Sequence, residues 1–223
     1  MTFDEFIRVC AGNGVALDEG QRRCFTAFAT SLAAWNEKVN LVSRKDLDNL
    51  WARHMLHSVA ILFHARIAHD ADVADIGTGG GFPGIPLKIC RPDLSFVLMD
   101  SIAKKIAAVR DMLTTLQQTD PRMERISAVC GRAEAMAKLP AHRGAYDVVV
   151  ARAVAPLVDL VGWSAPLLRP QGRLLALKGG ALDAEIHALN KMFPRLHVSR
   201  QPLSVKGVPE FDTDEKQLIQ IQW

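Results

Sequence analysis

The chain has 223 residues, of which 49% are hydrophobic, and its formal net charge is +3. A chain of this length and apolar content can bury one substantial core, which argues against disorder and predicts one domain with an extension. The mild positive charge is compatible with a nucleic-acid partner but does not require one. The cysteines, which lie far apart and form no C-x-x-C pair, predict reduced thiols in place of a disulfide framework. They are Cys10, Cys24, Cys90 and Cys130.

The first residues of the chain do not resemble an export signal. Asp4 and Glu5 stand where a signal peptide would carry basic residues before an apolar stretch. No uncharged run approaches the length of about 18 apolar residues that a membrane span needs. The sequence therefore predicts a soluble, cytoplasmic protein.

Up to about residue 69, apolar residues recur at spacings of three and four, which is typical of amphipathic helices. Asp18 followed by Gln21 has the spacing of a capping box at a helix start. These patterns predict an N-terminal helical cap over residues 1–69. The three apolar stretches span residues 3–10, 25–35 and 47–62.

From residue 71 the pattern changes to short apolar runs separated by helical stretches, which indicates βαβ units and a parallel sheet. The last two runs, residues 196–203 and 217–223, are joined by a turn-rich segment that contains Gly207 and Pro209. Such a connection permits an antiparallel pair but no parallel crossover. We therefore expect an α/β domain over residues 70–223 whose sheet ends in a hairpin. The preceding strands are predicted at residues 73–76, 96–99, 126–130, 146–151 and 173–177.

Residues 75–84 read D-I-G-T-G-G-G-F-P-G and lie between a predicted strand and a predicted helix. Glycines at such a turn let the backbone approach a ligand where a Cβ would collide. A phosphate-binding P-loop requires Lys after the last glycine, but Ile85 follows Gly84. A dinucleotide fingerprint is present as Gly79-x-Gly81-x-x-Gly84, with an acid, Asp100, at the end of the next strand. An NAD-dependent oxidoreductase therefore remains an alternative, although few residues follow for a substrate domain.

The acid that precedes the loop favours a different cofactor. Asp75 followed by Gly77-x-Gly79 resembles the first motif of class I S-adenosylmethionine-dependent methyltransferases. The resemblance implies a Rossmann-like, mostly parallel, seven-stranded sheet that ends in an antiparallel hairpin. It also implies that S-adenosylmethionine is the cofactor and that Asp100 accepts hydrogen bonds from its ribose.

Absent motifs restrict the methyl acceptor. After the fourth predicted strand the chain reads A-R-A-V-A-P, without the Asn/Asp-Pro-Pro-aromatic motif common in methylation of exocyclic amines. No cysteine follows a proline, as it commonly does in pyrimidine C5 methylation. Methyl transfer from a sulfonium is an in-line displacement that mainly requires alignment. Guanine N7 already presents a lone pair, so a chain without an obvious base suits that acceptor.

Motifs along almost the whole chain converge on one family. In chain order they are Trp35-Asn36-x-x-x-Asn40-Leu41, Arg53-His54, the loop 77–86, Asp100-Ser101 with Lys104-Lys105, Gly131-Arg132-Ala133-Glu134, Arg152-Ala153 and Leu177-Lys178-Gly179. Together they closely resemble the bacterial 16S ribosomal RNA guanine-N7 methyltransferases, also called the glucose-inhibited division protein B family.

The resemblance implies roles for individual residues. Arg132 and Lys216 occupy positions where the family has basic residues suited to holding the RNA or the target guanine. The implied partner is a conserved loop of 16S ribosomal RNA near the decoding region, either naked or in a small-subunit particle, and we expect a monomer. The implied cofactor contacts are Gly77, Gly79, Phe82, Asp100, Ala133, Glu134 and Arg152.

Two positions depart from the family pattern. His57 precedes Ser58 where the family usually has Asp, and Lys216-Gln217 stands where Arg-His is more common. Lys supplies charge but not a planar bidentate fork. A second alternative is a non-catalytic, RNA-binding ribosome assembly factor that retains a cofactor fold. No metal site is expected, because the four histidines between residues 54 and 69 lack the cysteine or carboxylate neighbours of a zinc site.

Overall fold

The computed structural model describes residues 1–213 and 215–223. Its N-terminal part is helical, as predicted, and the predicted capping box is present: Asp18 accepts from the Gln21 amide while Gln21 accepts from the Asp18 amide. The third predicted stretch is divided among short helices, one of them a π-helix. The helices of the cap are α1 (Phe3–Gly12), α2 (Glu19–Asn36), α3 (Arg44–Leu47), the π-helix (Trp51–Leu56), α4 (His57–Val59) and α5 (Ile61–His64).

The rest of the chain forms a seven-stranded sheet with helices on both faces. Its strands are β1 (Asp72–Ile76), β2 (Ser95–Asp100), β3 (Ile126–Cys130), β4 (Tyr146–Arg152), β5 (Leu168–Lys178), β6 (His197–Pro202) and β7 (Gln217–Gln222). Its helices are α6 (Gly84–Cys90), α7 (Ala103–Thr119), a 3-10 helix (Pro121–Met123), α8 (Ala133–Met136), α9 (Leu157–Ser164), α10 (Asp183–Met192) and α11 (Glu210–Thr213). Across the described residues, no helix combines the length and apolar character needed to cross a bilayer.

The strand order is β3-β2-β1-β4-β5-β7-β6. Strands β1 to β5 pair in parallel, whereas β7 runs antiparallel to both β5 and β6. The predicted mostly parallel sheet with a terminal antiparallel pair is therefore confirmed, and β7 inserts between β5 and β6. Strand β5 begins at Leu168, before the predicted residue 173, because pairing with Tyr146 continues across a register irregularity.

Alternate residues of the central strands enter two apolar cores, one on each face of the sheet. Val148 and Val150 of β4 lie in the first core, and Val149 and Ala151 lie in the second. Both faces are buried, which is the usual condition of a parallel sheet. Cap residues such as Phe28 belong to the same apolar core as the first face of the sheet. The division into a helical extension, residues 1–69, and a methyltransferase domain, residues 70–223, therefore stays a prediction.

The cap also touches the glycine loop directly. The rings of Phe28 in α2 and Phe82 in the loop lie 5.3 Å apart. A Cβ added to Gly80 would come within 3.1 Å of the Leu41 side chain, so a glycine permits the close approach of cap and loop. The conformation of the glycine loop therefore depends on how the cap packs against it.

Asn36 fixes the segment of the cap that lies against the loop. Its Oδ1 accepts hydrogen bonds from the buried amides of Leu41, at 2.8 Å, and Val42, at 2.9 Å. We expect Asn36→Ala to lower the free energy of unfolding by about 2–4 kcal/mol, because two buried amides lose their acceptor. Urea unfolding measures this difference. Asn190→Ala, at an exposed position of α10, is the control, and equal losses in both variants would contradict the interpretation.

Candidate active site

A cavity of about 350 Å³ opens where β1, β2, β3 and β4 end. Ligands of open α/β sheets bind at the carboxyl ends of the strands, and this volume lies in the range of small-molecule sites. Six of the predicted site residues line the cavity. Its lining comprises Ile76, Gly77, Met99, Asp100, Ser101, Ile102, Lys105, Gly131, Arg132, Ala133, Glu134, Arg152, Ala153, Val154 and Trp163.

Asp75 organises the glycine loop from beneath. Its Oδ2 accepts from Thr78 Oγ1 at 2.7 Å and from the Gly84 amide at 2.8 Å, so the carboxylate joins the two ends of the loop. The residue is fully buried, and its Oδ1 has no hydrogen-bond partner among the described residues. Burial raises the pKa of this carboxyl to about 7, although both hydrogen bonds and the nearby Arg152 oppose the shift. Asp75 does not line the cavity, so its contacts act on the loop and not on a ligand.

Gly77 begins the loop at the edge of the cavity. Its φ of +68° lies in the left-handed region, and a Cβ at this position would come within 2.7 Å of Val154. Glycine therefore lets the loop after β1 meet the loop after β4. The open backbone at Gly77 and the carboxylate of Asp100, which both line the cavity, together fit an adenosine-type cofactor.

Asp100 connects the loop to the end of β2. Its Oδ2 accepts from the Gly79 amide at 2.9 Å, and its Oδ1 accepts from the Ile102 amide at 2.8 Å. Each carboxylate oxygen keeps a lone pair beyond these bonds. Gly79 thus stands behind Asp100 and does not itself line the cavity. The carboxylate has a fixed orientation and free capacity to accept two hydroxyl donors.

Arg152 ends β4 and forms the wall of the cavity toward the cap. Its Nη2 donates to His54 Nδ1 at 2.8 Å, and its Nη1 donates to the Arg53 carbonyl at 3.3 Å. The guanidinium carbon lies 4.8 Å from the centroid of the Phe82 ring. Burial lowers the pKa of Arg152 to about 10. Phe82 is itself buried and does not line the cavity, so it contacts the site through Arg152.

His54 makes folding stability depend on pH. Burial, and then the charge of Arg152, lower its pKa to about 4 from an ordinary value of 6.5. The unfolded chain takes up a proton there below about pH 6.5, whereas the folded chain does so only near pH 4, so stability falls as the pH drops through this window. We expect the wild type to lose more stability than His54→Asn between about pH 7 and pH 5 in urea unfolding. Parallel losses would contradict this assignment.

Arg132, Ala133 and Glu134 lie together at the start of α8, after β3. Ala133 is buried, whereas Arg132 and Glu134 are exposed at the cavity rim. Within the described part of the chain, Arg132 forms no ion pair with either Asp75 or Glu134. Its guanidinium is therefore available to a ligand that enters the cavity.

The loop between β4 and α9 is held from the neighbouring strand. Lys178, at the end of β5, donates to the Ala155 carbonyl at 3.0 Å and pairs with Glu185 at 2.9 Å. Glu185 also accepts from the Leu157 amide at 2.9 Å. Ala153 in this loop has a φ of +51°, a conformation uncommon for a residue with a Cβ. The contacts of Lys178 and Glu185 stabilise the strained backbone beside the cavity.

Lys216 lies apart from the other predicted site residues. Its Nζ is 4.3 Å from the Phe211 ring centroid, and it lines a separate cavity of about 700 Å³ that also contains Arg8 and Arg53. His57 packs edge-on against the same Phe211 ring, with centroids 6.1 Å apart. The structure does not bring Lys216 together with Arg132. His57 and Lys216, which both depart from the family pattern, contact the same side chain, Phe211.

Several residues of the site carry no assigned role from the sequence. Lys105 belongs to the Lys104-Lys105 motif but received no individual role, and Trp163 stands in an apolar stretch that is not distinctive in sequence; both line the cavity. His54 belongs to the Arg53-His54 motif, yet only the structure shows its bond to Arg152. Among the described residues, no group of three histidine, cysteine or acidic side chains is arranged to hold a metal ion.

The sheet order, the loop after β1 and the cavity at the strand ends define a class I methyltransferase fold. Solved structures of this type are similar: a chain in the complex of the Trm112 methyltransferase activator of Haloferax volcanii with a methyltransferase matches with a TM-score of 0.57, 16% identity and coverage of 87% of this chain and 96% of that one. Precorrin-6y C5,15-methyltransferase of Geobacter metallireducens matches with a TM-score of 0.50, 16% identity and coverage of 75% and 87%.

Sequence comparison identifies the family. The pattern of the family described as rRNA small subunit methyltransferase G matches residues 21–216. A relative of that name from Chlorobaculum tepidum is 38% identical over 96% of this chain and 95% of its own length. Another from Roseiflexus sp. is 37% identical over 92% of this chain and 86% of its own. The chain belongs to the rRNA small subunit methyltransferase G family, which confirms the predicted family and methyltransferase class.

Proposed function

We propose that this protein transfers a methyl group from S-adenosylmethionine to N7 of a guanine in a conserved loop of 16S ribosomal RNA near the decoding region. The observation that carries the proposal is the cavity at the ends of β1 to β4, framed by Gly77, Asp100 and Arg152. Its position is the ligand site of open α/β sheets, and the chain around it belongs to a family of ribosomal RNA methyltransferases.

The reaction is a displacement at carbon. When bound, S-adenosylmethionine supplies an electrophilic methyl group on a sulfonium sulfur. The guanine N7 lone pair forms the new bond to carbon, while the electron pair of the broken carbon–sulfur bond stays on sulfur. No proton is removed, so the protein needs to align the reactants and does not need a base. Asp100 has both oxygens engaged with backbone amides, which agrees with a binding role.

Each predicted residue has a role in this proposal. Asp100 holds hydroxyl donors of the ribose, and Asp75 holds the glycine loop together through Thr78 and Gly84. Ala133 and Glu134 line the cavity and would hold the adenine. Gly77, Gly79 and Phe82 shape the loop and its contact with Arg152, which closes the pocket on the side of the cap.

The change in charge during the reaction restricts the roles of the two remaining basic residues, Arg132 and Lys216. Guanine gains a positive charge on methylation, so a cation next to N7 would oppose the reaction. Arg132, at the rim, therefore acts on a phosphate or on the guanine O6 edge, which Arg recognises well. Lys216 lies in the neighbouring cavity, so its proposed contact is with RNA beyond the target base and not with the reacting atoms.

Methyl incorporation tests the proposal directly. The purified protein, with labelled S-adenosylmethionine, is supplied with small subunits and with naked 16S RNA from a strain that lacks the modification. We expect label in one of the two substrates, at a single guanine located by mapping of the product. Small subunits from a strain that carries the modification are the matched control, and they should accept no label.

Two other results would favour the alternatives. Binding of NAD without binding of S-adenosylhomocysteine in calorimetry would indicate an oxidoreductase. Binding of RNA and S-adenosylhomocysteine without transfer to either substrate would indicate a non-catalytic assembly factor. We further propose that the protein acts as a monomer in the cytoplasm, which analytical ultracentrifugation and cell fractionation would test.

A further inference from the structure

Two consecutive residues of the cap hold the same side chain of the sheet domain. Arg152 donates one hydrogen bond to the Arg53 carbonyl and another to His54 Nδ1, at 3.3 Å and 2.8 Å. Both acceptors belong to the π-helix Trp51–Leu56. π-Helical turns are rare and occur frequently at functional sites. Here the turn presents a carbonyl and an imidazole nitrogen to one guanidinium.

The bond to Arg152 determines the form of the imidazole. A guanidinium has only donors, so Nδ1 of His54 accepts with its lone pair and the ring proton resides on Nε2. Nε2 faces Asp46 Oδ2 at 3.7 Å, which favours this tautomer. The His54 side chain is only 12% exposed, and its ring lies 5.1 Å from that of Phe82. Imidazole and guanidinium therefore contact the same phenyl ring and each other.

We propose that His54 is a positioning residue, which as a neutral acceptor holds Arg152 in the wall of the cofactor cavity. The inference rests on the proposed function in that it takes S-adenosylmethionine as the ligand of this cavity. Without His54, the flexible Arg152 side chain would lose its hydrogen bond to the imidazole and would keep a carbonyl and the face of Phe82. A side chain of the cap thus sets the affinity of the sheet domain for its cofactor.

Two substitutions at His54 distinguish the contribution of its hydrogen-bond acceptor from that of its aromatic ring. His54→Phe keeps an aromatic ring beside Phe82 but removes the acceptor, and His54→Asn keeps an oxygen near the position of Nδ1. By calorimetry with S-adenosylhomocysteine, we expect the dissociation constant to rise about 10-fold or more in His54→Phe, because a hydrogen bond to a charged group is lost. In His54→Asn it should stay within about 3-fold of the wild type.

His64→Phe is the matched control. His64 also lies in the cap and is bonded through both ring nitrogens, to the Ser204 carbonyl at 2.9 Å and to Gln201 at 3.1 Å. It is bonded to the segment around β6 and not to Arg152. We expect its substitution to affect thermal stability and to leave cofactor affinity unchanged. If His54→Phe does not fold, His54→Gln replaces it, because its longer amide carries the acceptor away from the Nδ1 position.

A double-mutant cycle gives the decisive readout. In an Arg152→Ala background, His54→Phe should cause no further loss of affinity, because the partner is already absent. Wild-type affinity in His54→Phe, or penalties that add fully in the double variant, would overturn the inference. If the wild type binds S-adenosylhomocysteine and shows this coupling but methylates no RNA, the proposed RNA reaction fails and the role of His54 is supported.

Discussion

Arg132→Ala should reduce methyl transfer at least about 100-fold while leaving the affinity for S-adenosylhomocysteine within about 3-fold of the wild type. Arg132 is exposed at the cavity rim, and within the described residues it forms no ion pair, so its removal leaves no buried partner unsatisfied. A cation that acts on the RNA contributes to alignment of the acceptor and not to cofactor binding. Single-turnover methylation of small subunits and calorimetry measure the two quantities separately.

The control and a graded variant make the Arg132 prediction specific. Arg143→Ala removes an exposed arginine from the connection before β4 and should leave both quantities unchanged. Arg132→Lys should recover part of the rate, because it keeps the charge but loses the planar fork. Equal losses of transfer and cofactor affinity in Arg132→Ala would place this residue beside the cofactor instead.

Asp100→Ala should weaken binding of S-adenosylhomocysteine at least about 100-fold. The substitution removes the acceptor for the ribose hydroxyls, and hydrogen bonds to a charged group contribute about 1.5–3 kcal/mol each. It also leaves the amides of Gly79 and Ile102 without their acceptor, which loosens the glycine loop. Calorimetry of the folded variant measures the affinity.

Asp100→Asn tests which part of that effect belongs to the charge. The side-chain oxygen of Asn still accepts from one of the two backbone amides, but its NH2 group faces the other amide, donor against donor. We therefore expect an intermediate loss of affinity of about 10-fold. Asp159→Ala, at an exposed position of α9, is the control and should bind like the wild type. Unchanged affinity in both Asp100 variants would place the ribose elsewhere.

Local patterns predicted most of the fold. The capping box at Asp18, the strand before the glycine loop and the antiparallel pair at the end of the sheet depend on short-range periodicity and turn chemistry, so the order of residues is enough to infer them. The start of β5 could not be inferred in this way, because its first residues read as a turn and enter the sheet only by pairing with β4. The insertion of β7 between β5 and β6 likewise depends on packing across the sheet.

The sequence by itself determined the class of the protein and predicted a set of candidate residues for the cofactor site. Asp75, the glycines and Asp100 belong to one strand–loop–helix–strand unit. Their spacing along the chain is therefore enough to predict that they lie at the same edge of the sheet. Only the tertiary structure decided which of the basic residues meet. Arg152 reaches His54, almost a hundred positions earlier, because the cap packs on the sheet, and Lys216 lies with Arg53 in a second cavity for the same reason. Contacts between distant segments depend on how two apolar surfaces fit, and no local pattern records that.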